Sequence, residues 1–161
     1  MKFAGEITVH APRDKVFAAL SDVMVFASLI DGVSSLVPLD VPQNKRFDAV
    51  LETKVAYMSF RFKVTVEFTN VDPPHEIAAK IEGAPLGLVG RLSATTFTRF
   101  VDEGEETRIQ YEIDTALTGK LGSIGQPVMK AKARDMEKQF AKNLQARFDR
   151  SVAADASVVS A

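Results

Sequence analysis

The 161 residues include two histidines, His10 and His75, and no cysteine. Thiolate nucleophiles, disulfides and cysteine-based metal sites are therefore excluded, which suits a reducing cytoplasm. His10 falls at the end of an alternating stretch, on its polar phase, and His75 lies in a Pro-Pro-His turn. Each reads as a solvated side chain, and neither has a carboxylate at metal-ligand spacing. The nucleophile-elbow, zinc-protease and phosphate-loop patterns are absent. The stretch Gly119-Lys-Leu-Gly-Ser-Ile-Gly precedes a helix and could cradle an anion, but it lacks the P-loop order and reads as a turn. The run Asp102-Glu-Gly-Glu-Glu reads as a solvated hairpin turn rather than a calcium loop. No paired buried carboxylates suggest acid–base catalysis. An enzyme would have to use Tyr57, Tyr111 or Arg91 in a pocket.

The elements that would position these residues follow from periodicity. Residues 2–10 alternate, with Phe3, Gly5, Ile7 and Val9 on one face, as in a half-buried strand. Pro12 opens a helix carrying Val16, Phe17 and Leu20, and Ser21-Asp22 ends it and caps a second short helix holding Val25, Phe26, Leu29 and Ile30. That helix stops at Gly32. A short strand at 33–39 closes with a turn at 40–44. Alternation then predicts strands over 47–57 and 60–68, joined by a hairpin through Met58-Ser59. Further strands follow at 77–81, 92–100 and 109–117, with turns at Asp72-Pro-Pro and 102–105. A helix from about Ser123 to about Arg150 has Ile124, Val128, Met136, Phe140, Leu144 and Phe148 on its apolar stripe, against a polar face that includes Glu137. Residues 151–161 read as a flexible tail after a single domain at 1–150.

The fold class is therefore α+β. A curved antiparallel sheet of about seven strands, polar on one face, wraps around the long C-terminal helix, with two short helices after the first strand. This is a helix-grip. Interiors are close-packed, so inward positions should be bulky. Yet several strands are small at mid-length: Thr53, Ala79, Ala94, Thr96, Thr98 and Thr115. A hollow lined by apolar groups and a few hydroxyls is a small-molecule pocket, although the same residues could simply pack. Residues 83–90, Gly-Ala-Pro-Leu-Gly-Leu-Val-Gly, form an apolar loop that is expected to act as a lid, to touch a membrane or partner, or to tuck against a helix. Expected ligand-binding residues are Phe26, Ile30, Tyr57, Phe62, Ala79, Leu88, Leu92, Ala94, Thr96, Tyr111, Met136 and Phe140.

Charge narrows the partners. Lysine plus arginine number 20 against 21 acidic residues, a net charge of −1, so no basic footprint points to nucleic acid. The N-terminus has no apolar h-region, and no window approaches the ~18 apolar residues needed to span a bilayer.

In this order the segments resemble the START-like (SRPBCC) superfamily and, within it, the CoxG family of carbon monoxide dehydrogenase subunits. The resemblance rests on Lys2-Phe-Ala-Gly-Glu-Ile-Thr-Val with Ala11-Pro-Arg-Asp-Lys-Val-Phe-Ala-Ala-Leu-Ser-Asp, on Phe62-Lys63 with Asn70-Val-Asp-Pro-Pro, and on Thr107-Arg-Ile-Gln-Tyr-Glu-Ile-Asp, the 119–125 stretch and Gln139-Phe140. It covers residues 1–148. It implies a non-catalytic accessory protein for a molybdenum-containing dehydrogenase, whose apolar cavity carries a quinone such as menaquinone or ubiquinone, or a lipid, between membrane and enzyme. It implies no required cofactor, no metal, and a cytoplasmic location with transient contact at the inner membrane face. The chain departs from relatives at Ile30-Asp-Gly-Val33, where Ile-Pro-Gly-Cys is common, and at 151–161, shorter than the membrane-binding extension some relatives carry. A cyclase, aromatase or hydrolase on the same fold, or an interaction module with a filled core, are the alternatives.

Overall fold

The computed structural model describes residues 1–39 and 45–160, with side chains described for 1–39 and 46–149. In chain order the elements are β1 (Lys2–Val9), α1 (Arg13–Ser21), α2 (Val23–Ser28), β2 (Val33–Leu39), β3 (Lys45–Val55), β4 (Met58–Asp72), β5 (Glu76–Pro85), β6 (Gly90–Glu103), β7 (Glu106–Gly119), a 3-10 turn (Lys120–Ser123) and α3 (Gln126–Ser160). The seven strands form one antiparallel sheet in the order β1-β7-β6-β5-β4-β3-β2. This is the expected helix-grip. The turn expected at 40–44 lies outside the described residues.

Local chemistry explains the short helices. The Asp22 carboxylate accepts from the backbone N–H of Met24 at 3.0 Å and of Val25 at 3.4 Å, capping α2 as its sequence predicts. The turn into β2 needs Gly32: its φ is +89°, and a Cβ there would collide with the Glu52 carbonyl oxygen.

Along β3 to β7 one face is apolar and turned toward α3, and the other is charged and exposed. Inward residues stand in register across neighbouring strands. Val64 faces Gly83 and Gly83 faces Leu92; Val66 faces Ile81 and Ile81 faces Ala94; Phe68 faces Ala79 and Ala79 faces Thr96. On β7, Thr115 lies opposite Ala94 and Ile113 opposite Thr96.

Several details differ from the sequence reading. Helix α2 ends at Ser28, with Leu29 as its cap, so Leu29 and Ile30 lie in the turn before Gly32. The β3–β4 hairpin turns through Ala56 and Tyr57, because Val55 pairs with Met58, and Ala56 takes a φ of +56°. The residues expected to close the turn, Met58 and Ser59, belong to β4. Only 86–89 form the apolar loop, since Gly83, Ala84 and Pro85 pair with Val64, Lys63 and Phe62 at the end of β5. The Leu86 N–H then donates to the Arg61 carbonyl at 2.8 Å, holding the start of the loop to β4. Finally, α3 continues to Ser160. The residues past Arg150 include Ala153, Ala154 and Ala156 and neither glycine nor proline, so nothing in them breaks a helix.

The core divides in two. A large cluster, from Val9, Val16 and Phe17 through Phe68 and Phe100 to Leu144, packs α1 and α2 against the sheet where β4 and β6 end. Phe17 meets Phe100 edge-on at 5.0 Å. A smaller cluster of Val55, Phe60, Phe62 and Leu121 sits at the opposite end of the strands, beneath the 3-10 turn.

Candidate functional site

The space between these two clusters is the candidate site. Its floor is the centre of the inward face, where Ala79, Thr96, Ala94, Thr115 and Gly83 lie side by side on β5, β6 and β7. Side chains this small take up less of the space beneath α3 than leucine or phenylalanine would. Its roof is α3, whose backbone approaches the sheet chiefly along β1 and β3, so the middle strands face the helix across a wider gap. Leu92, Thr96, Ile113, Ile81 and Val64 from the sheet, and Met136 and Phe140 from α3, are only half-buried although they point inward. They are less closely covered than Phe100 and Leu144, which are 2% and 0% exposed.

Each expected ligand-binding residue can be placed. Phe26 on α2 lies 6.0 Å from the Phe68 ring and 5.9 Å from Phe140, closing one side of the cleft. Ile30 is half-buried in the turn after α2, which Asn143 pins to α3 through its side-chain N–H groups, to the Leu29 carbonyl at 2.9 Å and to Asp31 at 3.1 Å. Ala79, Ala94, Thr96 and Tyr111 face inward from the floor, and Met136 and Phe140 from the roof. Phe62 is buried in the smaller cluster, stacked on Phe60 at 5.8 Å, with Leu92 packed beside it. Leu88 lies in the 86–89 loop, 39% exposed. Tyr57 does not belong with them. It occupies the hairpin tip with 93% of its surface exposed, because the strand ends two residues earlier than alternation suggests. Arg91 is on the outward phase of β6 and exposed. Of the three residues an enzyme could have used, only Tyr111 faces the cleft.

Tyr111 has a partner the sequence reading assigned to the wrong face. Its hydroxyl donates to Glu137 Oε2 at 2.7 Å, linking β7 to α3 across the cleft. Partial burial first, and then the hydrogen bond to Glu137 and its negative charge, push the Tyr111 phenol above its ordinary value of 10.0. The group is a proton donor at neutral pH, not a base. The spacing Ala133, Glu137, Phe140, Leu144 places Glu137 on the inner stripe, a signal its charge masked. Gly5 makes room for this contact: a Cβ there would stand 2.5 Å from the Tyr111 hydroxyl.

A depression of about 580 Å³ lies on the outward face between Glu6, Phe97, Arg99, Gln110 and Glu112, with Gly5 and Tyr111 also lining it. Its charged walls suit water better than an apolar molecule. His10 and His75 are surface residues at the far end of the sheet, His10 beside Glu106 at 3.0 Å and His75 beside Asp72 at 3.9 Å.

A profile of the CoxG family of carbon monoxide dehydrogenase subunits matches residues 5–148. The chain belongs to the CoxG family. Among solved structures, a conserved protein from Geobacillus kaustophilus superposes with a TM-score of 0.83 at 22% identity, over 94% of this chain and 97% of that one. The ZhuI aromatase/cyclase from Streptomyces sp. R1128 gives a TM-score of 0.68 at 17% identity, covering 94% and 95%. A START superfamily protein from Mycobacterium smegmatis gives 0.66 at 14% identity, covering 92% and 97%. At these identities the likeness is one of fold alone. A search of curated proteins found no match. Among the described residues, no helix of this CoxG chain is long and apolar enough to cross a membrane.

Proposed function

We propose that this CoxG chain is a non-catalytic carrier that holds an apolar small molecule, a quinone or lipid-like compound, between the sheet and α3, and that it serves a molybdenum-containing dehydrogenase of the carbon monoxide dehydrogenase type. The observation that carries the reading is the run of small inward residues, Gly83, Ala79, Ala94, Thr96 and Thr115, in register beneath a helix that stands off them. Apolar walls at Phe26, Ile81, Ile113, Met136 and Phe140 favour a hydrocarbon chain or ring. The Thr96 hydroxyl and the Tyr111–Glu137 pair supply the few polar groups that would orient a carbonyl-bearing head. Membership of a family of dehydrogenase accessory proteins supports the same reading.

The test is native mass spectrometry of the purified protein, with organic extraction of whatever it releases, followed by titration with menaquinone. The carrier reading expects a bound isoprenoid quinone or lipid, or saturable uptake of added menaquinone. In Thr96→Phe the new ring occupies the cleft, and menaquinone affinity falls by about tenfold or more while the fold is kept. A protein that is empty and refuses menaquinone overturns the reading, and so does menaquinone uptake that Thr96→Phe leaves unchanged. The second reading, a cyclase or aromatase, is favoured by one observation only: a protonated phenol held by a carboxylate inside the cleft of a fold shared with an aromatase/cyclase. Cyclisation or aromatisation of a substrate that is lost in Tyr111→Phe would establish it.

A further inference from the structure

The polar groups on the inward face of β6 and β7 are of two kinds. Thr115, Thr96 and Thr98 stand in successive rows of the sheet, Thr115 opposite Ala94, Thr96 opposite Ile113 and Thr98 opposite Tyr111. Among the described residues none of these three hydroxyls has a hydrogen-bond partner, and the one buried side-chain polar atom left without a partner is Arg108 Nε, so the threonine hydroxyls are not sealed in the core. Two other threonines of the sheet are satisfied: Thr65 donates to Asp48 at 2.7 Å and Thr107 to the Ala11 carbonyl at 2.7 Å. Hydroxyls on a largely apolar face ordinarily find partners, so Thr96, Thr98 and Thr115 keep a donor for whatever enters beneath α3.

The Tyr111–Glu137 pair is the reverse case. A phenol has one proton, and Tyr111 gives it to Glu137 Oε2 at 2.7 Å. Burial and the carboxylate hold that proton on the phenol at neutral pH. What remains for a ligand is acceptors alone: the lone pairs of the phenol oxygen and Glu137 Oε1. Among the described residues Glu137 has no bond other than the one to Tyr111 and forms no ion pair. Both side chains are half-buried, where a hydrogen bond counts for more than it does in bulk water.

We propose that Glu137, with Tyr111 bonded to it, is the specificity-determining residue of the carrier, selecting an apolar cargo whose ring head bears a hydroxyl, a phenol or hydroquinone, over the quinone or ether of the same skeleton. The inference rests on the carrier reading and names the head that the cargo presents. The cargo's O–H donates to the Glu137 carboxylate in a charge-assisted bond, and another oxygen of the head is left to Thr98, directly opposite Tyr111. A carbonyl or ether oxygen in the place of that O–H would face lone pairs only, and turning the phenol toward it would cost the bond to Glu137. Of a quinone and its hydroquinone, only the second brings the proton that the pair lacks. A site built to bond a hydroxyl discriminates strongly against analogues without one.

Calorimetric titration of the full chain with 2-naphthol, its methyl ether and 1,4-naphthoquinone tests this, because the three share a ring system and only the first carries an O–H. The wild-type chain is expected to bind the naphthol about tenfold or more tightly than the other two. Glu137→Gln replaces one acceptor by an amide N–H donor, and the preference is expected to disappear. Glu137→Leu frees the Tyr111 proton, and the preference is expected to invert toward the ether and the quinone. Thermal melts establish that each variant folds, and leucine suits the apolar stripe of α3 should glutamine not be tolerated. Equal affinities in the wild-type chain, or a preference for naphthol that survives both substitutions, overturn the inference while menaquinone uptake leaves the carrier reading standing. A chain that binds neither the three probes nor menaquinone overturns the carrier reading and this inference with it.

Discussion

The two ends of the sheet are built on opposite plans. At one end, α1 and α2 close over the strands, and Val9, Val16, Phe100, Thr107 and Leu144 are almost wholly buried. Polar contacts there are satisfied locally: the Thr107 hydroxyl donates to the Ala11 carbonyl at 2.7 Å, and the His10 N–H to Gln145 Oε1 at 2.8 Å. At the hairpin end the cluster is small, Leu121 is its one nearly inaccessible side chain, and the tips above it expose apolar surface. Deep burial and exposed apolar surface are thus assigned to different ends of one sheet.

The largest effect should come from the packed end. Phe100→Ala is expected to cost about 4 kcal/mol, lowering Tm by about 10 °C for a chain of this size, and thermal melts will read it. Leu121→Ala should cost about 3 kcal/mol, and it should also speed hydrogen exchange at the Lys120 amide, which the turn holds to Val89. If Leu121→Ala destabilises as much as Phe100→Ala and leaves that amide unchanged, the two ends are not distinct.

Across the middle, Tyr111→Phe should cost about 1 kcal/mol by leaving Glu137 without its donor. The pH dependence follows from the raised phenol. In the unfolded chain Tyr111 ionises near its ordinary 10.0, while in the folded chain it holds its proton longer. Its stabilisation is therefore complete below pH 10 and is lost as pH rises beyond it. Denaturation melts above pH 10 should show a steeper loss in wild type than in Tyr111→Phe; equal slopes would remove the pair from the account.

The smallest effect concerns the hairpin tip. Ala56 sits at φ +56°, where glycine is unstrained, so Ala56→Gly should stabilise by about 0.5 kcal/mol or leave stability unchanged, as measured by urea denaturation. A loss above about 1 kcal/mol would mean that the tip is held by contacts rather than by its backbone.

Much of this was legible in the residues. Alternation fixed which side chains of β3 to β7 face inward, the Asp22 cap opened α2, which ends at Ser28 rather than at the expected Gly32, and the register set the small inward residues Ala79, Ala94 and Thr96 side by side. The family followed from the order of the segments. Period-two alternation, however, names the face and leaves the register open, because sliding one strand past another by an even number of residues keeps every apolar side chain inward. The register of the assembled sheet, with Leu51 opposite Phe62 and Phe62 opposite Pro85, is what ends β3 at Val55 and places Tyr57 on the tip instead of in the cleft. Glu137 makes the same point for α3: its helical position placed it inward, its charge argued outward, and the Tyr111 hydroxyl across the cleft decided between them. The exposed apolar hairpin end is likewise a product of the fold, since residues near 57, 88, 120 and 128 become neighbours only when the strands and the helix that carry them share one end of the sheet.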